Sequence, residues 1–422
     1  IKGLVSKHQY KGYTYNDIAI NGVFQSKRFE GDFEVNDDNI KLNFKGLADL
    51  SSELYSFDFM AVVDYCDLNA INLFKRDSIS NIRGDIDFQI AGNTVDDLKG
   101  TIDIKNLLYT NQKDNYFFKD FNITSSFTDS LRTITINSSE IIEGEVNGKF
   151  KFNELVKLTQ NSIGSIFTNY TPYKVESDQE LDFRFRIFNK IIEVFNPEIS
   201  VAANTLIRGK ITSDENLFRL NIKSPKINAY KNVIDNLNIQ IDNKNPLFNT
   251  QLTIDKVESD IYNISNLHLV NITLNDTLYF RTIFKGGKEK TEDFDLSFYH
   301  TFNNDNKFVV GIQKSNVNFK NNDWILNPED NLSNNIIYDN KSKNYIINPF
   351  VIASGNQNIQ FLGEVNGATS TDLKFKFKDV QLANVTPNID SLNLEGIING
   401  SLNYSKKKKL VKPTGNLVIS NF

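Results

Sequence analysis

Residues able to carry acid–base or metal chemistry are few and widely separated in this chain of 422 residues. The three histidines, His8, His268 and His300, show no spacing typical of a metal site or a catalytic pair. A single cysteine, Cys66, excludes an internal disulfide framework and a cysteine-based metal cluster. We therefore expect the histidines at the surface or at strand ends, and we expect no metal and no cofactor.

Aspartates stand at alternate positions of several short segments. Such carboxylates could act as general acid and base only if two of them shared a pocket. No GxSxG turn, phosphate-binding loop or EF-hand spacing accompanies them. We expect these side chains on a solvent-exposed face and predict that the protein is not an enzyme. The aspartates are Asp85, Asp87, Asp103, Asp182 and Asp295.

Large apolar residues occupy the positions between these aspartates. The segment Asp85–Ile90 alternates polar and apolar side chains, and the same alternation returns in Leu181–Ile187 and Leu373–Phe377. Alternation with a period of two places one face of a strand against an apolar environment and the other in water. The sequence therefore predicts amphipathic strands along most of its length.

Strand patterns tile the chain, with turns rich in Asn, Asp and Gly between them. These turn residues tolerate left-handed backbone angles and indicate antiparallel hairpins. We expect roughly 25 strands. The first well-defined candidates cover residues 29–35, 40–44, 54–63, 84–90 and 101–108.

Helical periodicity is confined to one main segment. Asn153 can cap a helix that continues to Tyr170, and Pro172 follows its predicted end. Shorter helical turns are plausible at residues 188–195 and 67–74. We interpret residues 153–172 as a helical insertion in one continuous β segment that covers residues 1–422, without a domain boundary.

Composition narrows the class of partner. Hydrophobic residues make up 40% of the chain, which includes 33 Phe and 16 Tyr, and the net charge is −5 with mixed signs along the strands. Nucleic acid would favour a basic stripe, so we exclude it as a partner. The one basic run, Lys406–Lys409, is typical of a solvated hairpin turn, with a membrane-surface or partner contact as the alternative.

Membrane attachment is not visible in the sequence. Apolar stretches such as residues 59–63 are far shorter than the ~20 residues that span a bilayer. Because Ile1 is not an initiator, we expect the chain to be a segment of a longer protein, whose targeting signal lies elsewhere.

The apolar faces of so many amphipathic strands must be covered by something other than water. Twisted sheets rarely exceed about 10 strands without splitting or curling. Stacked sandwiches would show linkers between them, and a barrel of this size would leave a wide lumen. We therefore predict an all-β fold, an elongated antiparallel sheet curled into a U-shaped hydrophobic groove that would suit an acyl chain. The candidate lining residues are Phe57, Phe59, Ile86, Phe88, Ile90, Ile102, Ile104, Phe183, Phe185, Phe294, Leu296, Phe298, Phe375 and Phe377.

Several segments also share a pattern with one known family. They are Phe29–Val35, Ile40–Gly46, Phe57–Tyr65, Asp67–Phe74, Asn153–Tyr173, Val194–Ile199 and Asp323–Asn327. Through them the chain resembles the TamB proteins of the AsmA-like superfamily, in the version found in Bacteroidetes-type bacteria. The segments extend over most of the chain, but each is a degenerate strand pattern.

The resemblance implies a periplasmic bridge segment of a larger envelope protein. That protein would be anchored in the inner membrane by an N-terminal helix outside this segment, would form a β-groove (a "β-taco"), and would meet an outer-membrane barrel assembly factor. Its implied partner is phospholipid, moved between the inner and outer membranes in support of outer-membrane biogenesis.

Three alternatives stay open at this stage. The apolar residues could form an ordinary sandwich core. The chain could be an assembly factor or chaperone whose strand edges pair with incoming outer-membrane β-strands. It could also be a passive scaffold or adhesin whose interior is filled by its own side chains.

Overall fold

The computed structural model describes residues 1–138, 140–165, 170–188, 191–260, 262–287, 289–386, 394–407 and 410–421. The chain forms two compact units, which are described separately. Unit 1 comprises Ile1–Ile163 and Pro172–Tyr230, and unit 2 comprises Gly164–Thr171 and Lys231–Phe422. The single continuous segment expected from the sequence stays a prediction.

The described part of unit 1 contains fourteen strands that pair in one antiparallel ladder. Sequential strands are neighbours except near β12, because β11 pairs with β13 and β12 pairs with β14. The strands are β1 Lys2–Tyr10, β2 Tyr13–Gln25, β3 Arg28–Asp37, β4 Ile40–Asp49, β5 Ser56–Asp67, β6 Ser80–Ala91, β7 Lys99–Asn111, β8 Asn115–Thr128, β9 Leu131–Ser138, β10 Ile142–Lys149, β11 Glu180–Ile187, β12 Ile199–Val201, β13 Thr205–Thr212 and β14 Phe218–Ala229.

The described part of unit 2 contains a further fourteen strands, again antiparallel throughout. Strand β19 pairs with both β20 and β21. Strand β20 pairs with β23 and β21 pairs with β22, and both β23 and β22 pair with β24. The strands are β15 Asn232–Asp242, β16 Thr250–Glu258, β17 Ile264–Leu274, β18 Thr277–Gly286, β19 Glu292–Phe302, β20 Phe308–Ile312, β21 Ser315–Phe319, β22 Asn322–Leu326, β23 Asn335–Asp339, β24 Asn344–Ser354, β25 Gln357–Asn366, β26 Ser370–Gln381, β27 Ile397–Lys407 and β28 Leu410–Ser420.

The predicted all-β, antiparallel fold is confirmed. Strands hold 66% of the residues and helices 5%. The five strands predicted first are all present, and each is longer than predicted. Strand β4 begins at the predicted residue, and β5 begins two residues later than predicted. Within the turns predicted from the sequence, Gly287, Asn306 and Asn321 adopt positive φ, as such turns require.

Two β-bulges redirect side chains in unit 1. An extra residue in β5 at Asp64 sets Val63 and Cys66 three positions apart on the same face. The second bulge lies in β7, where the extra residue is Asn106, with a φ of 50°. It places Ile104 and Leu107 three positions apart on the same face. A bulge re-aims the strand beyond it and increases its local twist. The apolar face therefore continues to the end of both strands.

The predicted helical insertion is confirmed in its first half. A 3-10 turn, Phe152–Glu154, leads into α1, Leu155–Gly164, so Asn153 lies inside the turn and is not the cap expected from the sequence. Residues 170–176 form no regular secondary structure, and residues 166–169 lie outside the described residues. Asn161 fixes the exit by accepting from the amide of Tyr173 and donating to its carbonyl oxygen, at 2.8 Å each.

The shorter helical predictions have mixed outcomes. Helix α2, Ile191–Phe195, lies within predicted residues 188–195, of which 189–190 are not described. Residues 68–72 form turns and no regular helix. Asp67 accepts from the amides of Asn69 and Ala70 as an N-cap would, but Asn72 has a φ of 62°, which ends the helical path after about one turn. A third helix, α3 Leu382–Val385, was not expected. No described helix has the length and apolar character needed to cross a bilayer.

Candidate functional site

The predicted lining residues of unit 1 lie on one face of its sheet. Phe59 is directly opposite Phe88, and Phe88 is opposite Ile102 on the next strand. Directly paired residues of antiparallel strands carry their side chains on the same face. We call the side that carries Phe59 and Phe88 the apolar face of unit 1, and the opposite side its polar face.

Three rows of paired residues cross this apolar face from strand to strand. They contain all nine lining residues predicted for unit 1. The first row is Gly46, Phe59, Phe88, Ile102, Ile123, Ile136, Gly144, Phe185, Ile207 and Ile222. The second is Ala48, Phe57, Ile90, Gly100, Ser125, Ile134, Val146, Phe183, Gly209 and Leu220. The third is Phe33, Phe44, Ala61, Ile86, Ile104 and Phe121.

Aromatic rings contact one another along these rows. The ring centroids of Phe44 and Phe59 are 4.1 Å apart, and those of Phe59 and Phe88 are 5.1 Å apart with an edge-on angle of 86°. Glycine gives another ring room: a Cβ on Gly144 would lie 2.4 Å from Cδ1 of Phe185. The rings therefore lie over the neighbouring strands and give the face a continuous apolar covering.

The exposure of these residues separates the face from an ordinary core. All fourteen predicted lining residues are half-buried, and none belongs to the fully buried set. A closed sandwich would bury them, because protein interiors pack at crystal-like density. On the polar side of the same strands, Arg184 and Arg186 are exposed. The structure thus presents a one-sided apolar sheet face with residual access.

One margin of the apolar face in unit 1 is closed by a buried core. Tyr109, Tyr116, Phe118 and Ile141 form a cluster against which Val194 of α2 packs. An adjoining cluster contains Val63, Cys66 and Ile71. Both clusters lie at the strand ends, beyond the two bulges. The loop between β5 and β6 and helix α2 therefore seal this margin.

A buried carboxylate organises the seal. The Asp77 side chain is 3% exposed, lies 2.6 Å from Arg76 and accepts a hydrogen bond from Tyr109. The Arg76 guanidinium lowers the pKa of Asp77 to about 2. Arg76 also donates to the carbonyl oxygens of Val194 and Phe195, the last two residues of α2. One ion pair thus joins the loop to the helix, with the cation at the helix C-terminus where the dipole favours it.

The opposite margin of unit 1 holds a buried cation. Arg132 occupies an apolar-face position in β9, is 4% exposed and donates to the carbonyl oxygens of Val95 and Leu98. Its guanidinium carbon lies 5.0 Å from the ring centroid of Phe152. Burial lowers the pKa of Arg132, and carbonyl oxygens and an aromatic face supply the contacts that such a cation needs.

An open cavity lies on unit 1 near this second margin. Its volume is about 600 Å³, within the range of small-molecule sites. Phe57 and Ile90, both predicted lining residues, border it together with Leu47 and Phe127, and polar residues such as Gln89 complete the rim. The cavity offers apolar surface without a convergent set of polar groups.

The five lining residues predicted for unit 2 also share one face. Phe294 stacks on Phe284 at 4.5 Å, and Phe298 stacks on Phe280 at 4.8 Å. Leu296 follows Leu252, Leu269 and Thr282 across the strands. Phe375 belongs to a row of paired residues that contains Phe350, Phe361, Phe375 and Leu402. Phe377 belongs to a second row, which contains Leu326, Ile352, Ile359, Phe377 and Gly400.

A short helix is fastened beside the apolar face of unit 2. Lys320, in the turn between β21 and β22, donates to the carbonyl oxygens of Ala383 and Thr386, at 3.1 Å for the first. These acceptors lie within and just after α3. The contact repeats the arrangement of Arg76 and α2, a cation placed at the C-terminal carbonyls of a short helix.

The five aspartates singled out in the sequence lie on the polar faces of their strands. Asp87 and Asp103 face each other across β6 and β7 on the polar face, and Asp295 forms an ion pair with Arg281 at 2.8 Å. No group of three or more His, Cys, Asp or Glu within the described ranges is placed to hold a metal ion. Burial raises the pKa of the Cys66 thiol to about 11, which leaves it unreactive.

Sequence reasoning missed residues of two kinds. Ile134, Ile136, Ile207 and Ile222 carry the rows onward between β9 and β14, and their alternation was available as a signal. No sequence pattern indicated the role of Arg76, because it donates to backbone carbonyl oxygens more than 100 residues further along the chain.

Comparison with known proteins gives no match of any kind. No family model, no curated protein and no solved structure is significantly similar to this chain. The functional argument therefore rests on the sequence and on the apolar faces.

Proposed function

We propose that the chain is a lipid-carrying segment whose apolar faces shield phospholipid acyl chains from water. The observation that carries this proposal is the half-buried state of all fourteen lining residues on continuous apolar rows. Apolar surface of this extent is otherwise an aggregation hazard and normally marks a ligand or partner surface.

The energetics suit an acyl chain. Each CH₂ group that leaves water contributes about 0.8 kcal/mol. Because Phe, Ile, Leu and Val follow one another along the rows without a fixed polar anchor, neighbouring positions offer similar binding free energies. A lipid could then slide between positions over low barriers while its head group stays in water.

The family resemblance extends the proposal to the longer protein. We propose a periplasmic bridge, anchored in the inner membrane outside this segment, that moves phospholipid between the two membranes. An outer-membrane barrel assembly factor is its proposed docking partner. These statements depend on the resemblance and not on contacts within this chain.

The lipid proposal is tested with the purified chain. Native mass spectrometry and lipid extraction should recover phospholipid bound to it. A photo-crosslinking residue at Phe88 should give acyl-chain adducts, whereas the same residue at Asp87, its neighbour on the polar face, should not. Absence of both lipid and adduct at Phe88 would overturn the proposal.

A further inference from the structure

The polar face of the last strands of unit 2 carries an unusual column of lysines. Lys374, Lys376 and Lys378 stand at alternate positions of β26, opposite in direction to Phe375 and Phe377, and all three are exposed. Successive side chains on one face of a strand are about 7 Å apart. The three ammonium groups therefore form a row along the strand.

Neighbouring strands leave this row of charge uncompensated. On β25 the paired residues are Leu362, Gln360 and Asn358, and on β27 Asn403 faces Lys374 and Ser401 faces Lys376. All five are uncharged. In the described part of the chain, no carboxylate lies within ion-pair distance of the three lysines.

Two basic residues elsewhere on the polar face of unit 2 are neutralised. Arg281 pairs with Asp295 at 2.8 Å, and Lys285 pairs with Asp293 at 2.7 Å. By contrast, Lys407 and Lys412 add to the charge around the row, and both are exposed. The carboxylates of β25 and β26 lie beyond the two ends of the lysine row. Glu364 and Asp372 lie at one end, and Asp379 lies at the other.

The same surface contains a depression and exposed apolar side chains. The depression has a volume of about 330 Å³ and is bordered by Lys376, Lys378, Gln360 and Ser401. Leu410 and Val418 of β28 share this face, and each is 59% exposed. Ammonium groups beside exposed apolar side chains are typical of surfaces that bind at the interface of an anionic bilayer.

We infer that the polar face of β25–β28 docks onto a bilayer of anionic phospholipids. Lysine acts as a point charge that suits a mobile array of phosphates, and an array of head groups can meet all three ammonium groups together. Among the described residues of β25–β28, none that shares this face with the lysines is an exposed aromatic on which bases could stack, so the face does not suit single-stranded nucleic acid. The inference goes beyond acyl-chain binding and concerns the opposite face of the sheet.

Vesicle flotation of the full chain tests the inference. The protein should float with vesicles of phosphatidylglycerol and phosphatidylcholine but not with phosphatidylcholine alone. Binding should fall steeply between about 50 and 500 mM salt as the Debye length shortens. In K374Q/K376Q/K378Q the affinity should fall roughly 100-fold, since each lysine near an anionic surface contributes about fivefold.

The matched control removes the same charge elsewhere. K41Q/K45Q/K105Q replaces three exposed lysines on the polar face of β4 and β7, and it should bind vesicles as the natural chain does. Equal binding by both triple variants, or binding without phosphatidylglycerol, would overturn the inference. Lysine-dependent binding to polyglutamate without vesicle binding would overturn it too, in favour of an acidic polypeptide. A Phe88→Glu variant that loses bound lipid should still float, so the failures of the two proposals are distinguishable.

Discussion

Arg76 and Val194 lie 118 positions apart in the chain, yet the guanidinium of the first donates a hydrogen bond of 2.5 Å to the carbonyl oxygen of the second. Arg76 is at the same time the ionic partner of Asp77, whose side chain is 3% exposed. The Arg76 guanidinium therefore links the loop after β5 to α2 at one margin of the apolar face, and Lys113 adds an ion pair with Glu198 just beyond the helix.

Replacement of Arg76 should loosen this margin. In Arg76→Ala the Asp77 carboxylate stays buried without its cation, which costs roughly 3 kcal/mol in free energy of unfolding. Hydrogen exchange of the amides in residues 191–198 should accelerate tenfold or more, on the order expected for local opening. Arg28→Ala, which removes an exposed pair with Glu30, should leave this exchange unchanged. Unaltered exchange in Arg76→Ala would show that packing and the Lys113–Glu198 ion pair suffice to hold α2.

Acid should weaken the same margin. The folded-state pKa of Asp77 is about 2, below its ordinary value of 3.8. Because the folded pKa is depressed, the stabilisation of roughly 2 kcal/mol is present above pH 4 and is lost as the pH falls towards 2. Urea unfolding of the natural chain and of Asp77→Asn should therefore give free energies that differ at pH 7 and converge near pH 2. A constant difference across this range would contradict the assignment.

Charge on the apolar face should abolish lipid binding without unfolding the chain. Ile86, Phe88 and Phe185 are half-buried, so a glutamate at each position keeps access to water and leaves circular dichroism unchanged. Phospholipid recovered by extraction should fall at least tenfold, since a charge in an apolar site opposes burial of acyl chains. Asn43→Glu, at an exposed position on the polar face of β4, is the control. Undiminished lipid in the triple variant would count against the apolar face as the binding surface.

Gly311 should tolerate no larger residue while Tyr299 is present. A Cβ on Gly311 would lie 2.3 Å from two ring atoms of Tyr299, and the Tyr299 hydroxyl donates to the carbonyl oxygen of Leu332 at 2.6 Å. Gly311→Ala should destabilise unit 2 by about 1–3 kcal/mol through overpacking. Tyr299→Ala in that background should cost less than it does alone, which a double-mutant cycle of urea unfolding measures. If the free energies of the two substitutions are strictly additive, the Tyr299 ring does not contact Gly311.

Cys66 should report on the integrity of the buried margin. The thiol is 3% exposed, and burial raises its pKa to about 11. Reaction with a thiol reagent at pH 8 should be at least tenfold slower in the folded chain than in urea, since the thiolate is the reactive form. Arg76→Ala should accelerate this reaction, whereas Arg28→Ala should not.

Alternation alone predicted much of the fold and the membership of the apolar faces. In β6, Ile86, Phe88 and Ile90 lie on the expected side, because a period of two admits one assignment of faces once the strand is recognised. The bulge at Asp64 and the loop–helix contact of Arg76 were not predictable. Both depend on backbone geometry, which no side-chain pattern encodes. The family resemblance and its implied lipid transport stay predictions.

The extra residue at Asp64 makes β5 tolerant of a change in length at one point. Val63 and Cys66 are three positions apart and would face opposite sides of a regular strand, but the bulge between them returns Cys66 to the face of Val63. Deletion of Asp64 would restore plain alternation, with Tyr65 still opposite Lys41 and Cys66 still opposite Ile40. Evolution can therefore shorten this strand at its bulge without reversing its faces, whereas the loss of one residue from the regular part of β5 would turn apolar side chains to the polar face.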